Sequence, residues 1–252
     1  MSTETRFSDY EKHYIVSCKG NVPVWDAAAK NPARYASRKP WLFEDRNMRI
    51  LDFGCGWGDM LLTLWAAGYR NIEGIDMSPV LVEIANKAAD GRARILCGDG
   101  LAHLKSNPAA YNIIIFAEVA EHFPPEAFRE VLKLAHTALK PGGRVVIRTP
   151  NMGSLLASYP RYCDLTHVCG YTDSSLRYLL EQAGFANHRF VSGWEPDLHN
   201  WRPWRPLRNI EIGYFPNMIL HRILYAIRGG NRPVTFKPTL EVYSEKPTGE
   251  TK

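Results

Sequence analysis

From about residue 48 to residue 150, short apolar runs alternate with amphipathic stretches, which is how the strands and crossover helices of a parallel sheet read. Five runs predict strands: Arg49–Phe53, Asn71–Asp76, Ala93–Cys97, Tyr111–Ala117 and Arg144–Arg148. The fourth, YNIIIFA, is apolar at nearly every position, as a strand covered on both faces must be, and this places it mid-sheet. Between the runs, Asp59–Ala67, Pro79–Ala89 and Pro125–Leu139 carry helical spacing. Pro141-Gly142-Gly143 predicts a helix stop and a turn before the fifth strand.

Beyond residue 150 the alternation loosens. Ser174–Ala183 predicts a helix ended by Gly184, Phe185–Val191 a strand, and Pro238–Ser244 a last strand with alternating character. Residues 194–237 are too many for a simple connection and predict an insertion or cap between the last two strands. Trp194, Trp201 and Trp204 are interleaved there with Arg202, Arg205 and Arg208, ahead of the apolar stretch FPNMILHRILYAIR. That stretch, 215–228, predicts core or dimer packing first and contact with a membrane surface second. Residues 1–40 are expected to form an N-terminal helical segment ahead of a domain spanning 41–252.

Composition adds exclusions rather than a function. Hydrophobic residues at 45% and charged residues at 23% describe a globular chain and exclude a disordered or fibrous one. A net charge of +5 without blocks of Lys and Arg makes nucleic acid an unlikely partner. Cys18, Cys55, Cys97, Cys163 and Cys169 form no C-x-x-C pair and read as free thiols of a reducing compartment. With no apolar leader at the start and no run near the ~20 apolar residues of a membrane span, a cytoplasmic location is expected.

The chemistry concentrates at the strand ends. Ile50-Leu51-Asp52-Phe53-Gly54-Cys55-Gly56-Trp57-Gly58 is an apolar strand running into D-x-G-x-G-x-G and then a helix. Glycines there let the backbone turn tightly and approach a ligand at the carboxyl edge of the sheet. Dinucleotide sites use G-x-G-x-x-G, whereas these glycines fall at every second residue, which favours S-adenosylmethionine (SAM) over NAD. The second strand ends in Asp76, placed to accept from ribose hydroxyls, followed by Met77. Asp99 and Gly100, just past the third strand, are placed to meet the adenine amino group.

On these residues the chain resembles class I SAM-dependent methyltransferases over about residues 48–193. The resemblance implies a Rossmann-like α/β fold, a seven-stranded sheet flanked by helices with the last strand inserted antiparallel. It also assigns the glycine turn of Asp52, Gly54, Gly56 and Gly58 to SAM, with Asp76 as the ribose carboxylate, Asp99 the adenine contact and Glu118 lining the methionine end.

A second cluster follows the fourth strand: Glu118-Val119-Ala120-Glu121-His122, with Asp164-Leu165-Thr166-His167 later. If residues 118–122 open a helix, Glu118, Glu121 and His122 share a face, and with His167 they could hold a divalent ion such as Mg or Mn. The pattern E-x-x-E-H with a later D-x-x-H resembles small-RNA 2′-O-methyltransferases and ubiquinone-pathway O-methyltransferases. A helix cap without metal is the alternative. His167 is also the candidate catalytic base, with Asp164 fixing its tautomer; a structural histidine anchoring a loop is the other reading.

For the acceptor, the segment from Thr149 to Phe185 resembles bacterial methyltransferases that act on surface polysaccharide or other sugars. Aromatic faces stack on sugar rings and Arg pairs with anions, so 194–237 would form the wall for a saccharide, an O-antigen or capsule glycan or its precursor. Two alternatives stand beside it: O-methylation of a small aromatic or quinone-like metabolite, and a SAM-binding module without catalysis.

Overall fold

The structure is a computed structural model that describes residues 24–32, 39–191, 219–220, 222–224, 226–227, 234–235 and 237–249. Seven strands form one sheet: β1 Ile50–Phe53, β2 Ile72–Asp76, β3 Arg94–Cys97, β4 Tyr111–Ala117, β5 Leu139–Pro150, β6 Ala186–Phe190 and β7 Thr239–Glu245. Their order is β3-β2-β1-β4-β5-β7-β6, and β7 runs antiparallel between β5 and β6. This is the Rossmann-like sheet expected above, and the chain order reverses between β1 and β4, where open α/β sheets bind their ligands.

Alternate residues along each strand fill opposite faces. Leu51, Phe53, Ile114, Phe116, Val145 and Ile147 pack on one side, against α4 (Gly100–Lys105), α5 (Pro125–Ala138) and α7 (Asp173–Gln182). Ile50, Ile113, Ile115 and Val146 pack on the other, against α1 (Trp25–Lys30), α2 (Asp59–Ala66) and α3 (Pro79–Ala89). In α5 the buried Phe128, Val131, Leu132, Ala135 and Ala138 fall at helical spacing, so one stripe of the helix is core. Phe128 meets Phe116 edge-on at 5.8 Å between ring centroids. Helix starts follow local chemistry: Ser78 caps α3 by accepting from the Leu81 amide, and Thr172 and Ser175 form a capping box on α7.

Trp25 is buried against Trp65 of α2, so α1 shares this core although it lies within 1–40. Trp41 Nε1 and Lys39 Nζ donate to Glu241 of β7 at 2.9 and 3.1 Å, which ties the stretch before β1 to the inserted strand.

Three expectations change. The turn at 141–143 lies inside β5: Leu139 already pairs with Tyr111, and Gly142, at φ +73°, sits in a bulge whose amide donates to the Lys246 carbonyl at 2.9 Å. Residues 118–122 do not open a regular helix but form a 3-10 turn, Ala120–His122. The short helices α4 and α6 (Ser158–Tyr162) carry too few residues for periodicity to reveal them. In 215–228 the described residues are helical, and Ile219, Leu220, Ile223, Leu224 and Ile227 are exposed, so these five do not pack into the core. Trp194, Trp201 and Trp204 with their arginines lie outside the described residues. Among the described residues no helix is long and apolar enough to cross a membrane.

Two positions test this packing. A Cβ on Gly74 would stand 2.7 Å from both Cys55 Sγ and Leu61 Cδ1. Gly74→Ala should therefore cost about 1–3 kcal/mol in denaturant unfolding, with an unchanged m-value. Asp52, 2% exposed at the end of β1, has its carboxyl pushed up to about 8 by burial, then by Asp76 and Asp59. Its folded-state value lies above the unfolded one, so folding takes up a proton and stability falls as pH rises from about 4 through about 8. Asp52→Asn should raise the melting temperature near pH 8, and the gain should vanish as pH falls toward 4; a pH-independent difference in thermal melts would contradict the assignment.

Candidate active site

Three strand ends close on one another. After β1 the chain turns through Gly54, Gly56 and Gly58 at φ +73°, +50° and +93°, conformations that cost residues with a Cβ. The amides of Gly54 and Cys55 donate to the Ile75 carbonyl at 2.8 and 3.1 Å, pinning the turn to the end of β2. A Cβ on Gly54 would stand 2.7 Å from Val119 Cγ2, and one on Gly100 would stand 2.5 Å from the Phe53 ring. Only glycine lets the segments after β3 and β4 approach this closely.

Asp76 is 5% exposed. The Gly56 amide donates to its Oδ2 and the Ser78 amide to its Oδ1, both at 2.9 Å, so its orientation is fixed by the glycine turn itself. Met77 beside it is exposed. Asp99 is exposed and caps α4, its Oδ1 accepting from the Leu101 amide at 2.8 Å.

Past β4 the trace reverses at Glu118, φ +57°, whose amide donates to the Arg148 carbonyl at 2.8 Å and whose carboxylate pairs with Arg148 Nε at 3.0 Å. Glu118 is exposed at the rim, whereas Glu121 is buried. Glu121 Oε2 accepts from the Thr149 hydroxyl at 3.0 Å, and Oε1 is buried without a hydrogen-bond partner. Burial, followed by the Glu118 charge, pushes the Glu121 carboxyl well above the usual range.

The segment carrying His167 is held here because the amides of Val168 and Cys169 both donate to the Glu121 carbonyl, at 2.9 and 3.1 Å. One ligand atom each from Glu121, His122 and His167 falls within 4.8 Å of the others. Of the four candidate ligands, then, three come together, and Glu118, exposed at the rim, is outside that group although its carboxyl is near enough to act on Glu121. His167 Nδ1 donates to the Pro160 carbonyl at 2.9 Å, which leaves Nε2 as the lone-pair nitrogen, 4.0 Å from Glu121 Oε1.

Asp164 does not fix the His167 tautomer as expected: its Oδ2 is 3.9 Å from Nε2, and its Oδ1 accepts from the Thr166 hydroxyl at 2.6 Å. That hydroxyl, its proton spent, accepts from His122 Nδ1 at 3.0 Å, which orients the ring. Thr166, Thr149 and Pro160 thus position the cluster. Sequence gave no signal for Pro160, and the Thr in D-x-T-H was visible only as a spacer.

On the segment that leads to His167, Leu155, Leu156, Tyr159, Tyr162 and Leu165 are all exposed, a set of large apolar side chains.

Comparison with known proteins agrees with this fold. A ubiquinone biosynthesis O-methyltransferase from Pseudomonas aeruginosa (strain UCBPP-PA14) is 30% identical over 122 residues, 45% of this chain and 50% of that protein. One of the same name from Aeromonas salmonicida is 34% identical over 106 residues, 41% of this chain and 43% of that protein. The chain thus spans about half the length, or less, of these curated relatives. A SAM dependent methyltransferase from Archaeoglobus fulgidus superposes with a TM-score of 0.61 at 20% identity, covering 94% of this chain and 100% of that one. One from Mesorhizobium loti gives 0.56 at 18%, covering 88% and 99%. At such identities these two structures speak to the fold alone. The family described as "Methyltransferase domain" matches residues 27–189, more than half of the sequence, and the chain belongs to that family.

Proposed function

We propose that the protein transfers the methyl group of SAM to a hydroxyl of a small aromatic or quinone-like acceptor. The carrying observation is the convergence of Glu121, His122 and His167 beside the glycine turn, with Glu121 Oε1 buried and unpartnered. In this reading SAM lies over the turn of Asp52, Gly54, Gly56 and Gly58. Asp76 and Met77 flank the ribose, Asp99 and Gly100 the adenine, and Glu118 the methionine end. Asp76 suits the role because its orientation is fixed before any ligand arrives.

The reaction is a displacement at carbon. An acceptor oxygen forms a bond to the methyl carbon, the C–S bond breaks, sulfur keeps the electron pair and leaves as neutral S-adenosylhomocysteine, and the acceptor loses its proton. The protein's part is to align oxygen, carbon and sulfur and to manage that proton.

Glu121, His122 and His167 fit a divalent cation such as Mg or Mn: one ligand atom of each lies within 4.8 Å of the others, and Glu121 Oε1 lacks a hydrogen-bond partner. When bound, such a cation orients acceptor oxygens and acidifies the hydroxyl. His167 Nε2 cannot be ligand and base at once, because Nδ1 is committed to Pro160. The cation-binding role is favoured by the Glu121 orphan; the base role, for a metal-free enzyme, is favoured by the tautomer that Pro160 imposes.

The exposed Leu155, Leu156, Tyr159, Tyr162 and Leu165 favour an apolar or aromatic acceptor, in line with the relatives named for ubiquinone biosynthesis. The saccharide reading drew on the resemblance carried by Thr149–Phe185 and on the tryptophans and arginines of 194–208; the latter lie outside the described residues, and the curated relatives are named for ubiquinone biosynthesis instead.

Two results follow. Asp76→Ala should weaken SAM binding by about 1–3 kcal/mol in calorimetric titration, and unchanged affinity would remove the ribose assignment. His167→Ala and Glu121→Gln should each lower kcat on a simple catechol by about a hundredfold or more while SAM affinity changes little; equal loss of both would mark a structural role.

A further inference from the structure

The opposite edge of the sheet carries a feature that methyl transfer does not use. Arg49, Arg70, Arg92 and Arg94 line one open depression of about 570 Å³ at the amino ends of β1, β2 and β3, away from the glycine turn. Each of these arginines lies within two residues of a strand start, so the parallel order of the three strands brings them together. Glu73 is the only acidic residue in the lining, and Asp26 pairs with Arg92 from beside it, so four positive charges face two carboxylates, a net +2.

Each guanidinium is anchored by at least one hydrogen bond or ion pair. Glu73, 4% exposed, accepts from Arg94 Nη1 at 2.8 Å and Arg49 Nη2 at 3.3 Å through Oε2. Its Oε1 accepts from the Tyr111 hydroxyl at 2.6 Å and lies 2.7 Å from His103 Nε2, so the carboxylate is itself locked. Arg49 also stacks over the Tyr111 ring at 4.6 Å. On the other side Trp65 carries Arg70 at 4.8 Å and Arg92 at 5.8 Å from its ring. Arg70 Nη1 is anchored on the Trp65 and Tyr69 carbonyls at 2.7 and 2.9 Å, and Arg92 Nη2 pairs with Asp26 at 2.9 Å.

Crowding four like charges costs free energy that a bound anion recovers, and fixing their side chains in advance lowers the entropic cost of binding. Planar guanidinium forks match the paired oxygens of phosphate groups. The volume is that of a small-molecule site, roughly 300–1,000 Å³, and its lining holds no aromatic side chain on which a base could stack. We propose that this depression binds a small polyanion carrying two or more linked phosphate groups, at a site separate from the methyl-transfer centre.

The test uses the full chain, with inorganic tripolyphosphate as probe in calorimetric titration at low and at high salt. Arg70→Ala/Arg94→Ala is the variant of choice, because Arg70 is exposed and the Arg94 side chain is 62% exposed, so the fold tolerates both changes. A Lys133→Ala/Arg189→Ala control removes the same charge from exposed positions elsewhere. The expected result is one saturable site, weakened about tenfold or more by the first pair and little by the control, with SAM affinity unchanged in both. Absence of saturable binding, or equal weakening by both pairs, would overturn the proposal. So would binding of a single-stranded oligonucleotide at this site without binding of tripolyphosphate, which would assign the surface to nucleic acid. A failure of methyl transfer would leave this result untouched, since the titration reads neither acceptor nor product.

Discussion

The hydrogen bond from the Gly56 amide to Asp76 is the contact on which the catalytic edge depends. It joins the turn after β1 to the end of β2 through a buried carboxylate, and it forms only because the backbone at Gly54, Gly56 and Gly58 adopts positive φ. The same turn lets Val119 close against Gly54, which brings the Glu121–His122 segment to the ligand edge. Everything the site could do chemically hangs from that backbone geometry, and no side chain can substitute for the missing Cβ atoms.

Acidic groups gather where this turn closes. Asp52, Asp59 and Asp76 lie close enough to raise the Asp52 carboxyl, and burial adds the larger share. A cationic ligand would relieve such a cluster, and SAM carries both a sulfonium and an ammonium group. Glu121 follows the same logic at the neighbouring strand end, where burial and then Glu118 raise its carboxyl. At the far edge the sign is reversed, with four arginines against the two carboxylates of Glu73 and Asp26. The sheet thus keeps opposite charges at its two ends, each set by residues that flank strand termini.

What could be read from the chain follows from how local each constraint is. The glycine turn, Asp76 and the apolar run of β4 were legible because each is a short stretch whose conformation follows from its own residues. The bulge at Gly142 was not, because its pairing with Lys246 joins residues far apart in sequence. Glu118 shared a predicted helical face with Glu121, yet the positive φ at Glu118 turns it to the rim. The partner of His167 was misread for the same reason: Asp164 is nearer in sequence, but the fold of residues 158–167 sets the Pro160 carbonyl against Nδ1. The arginine depression was invisible without the strand order, since its members are scattered from residue 49 to residue 94.

The central claim is that this edge of the sheet carries out SAM-dependent methyl transfer to a hydroxyl. The most direct measurement is mass-spectrometric detection of S-adenosylhomocysteine and methylated product from SAM and a catechol acceptor, with divalent cation first removed and then restored. Equal amounts of both products, dependent on acceptor and restored with Mg or Mn, are the predicted result. Protein that binds SAM yet forms neither product with any hydroxyl acceptor, cation present or absent, would contradict the account and leave a binding module in its place.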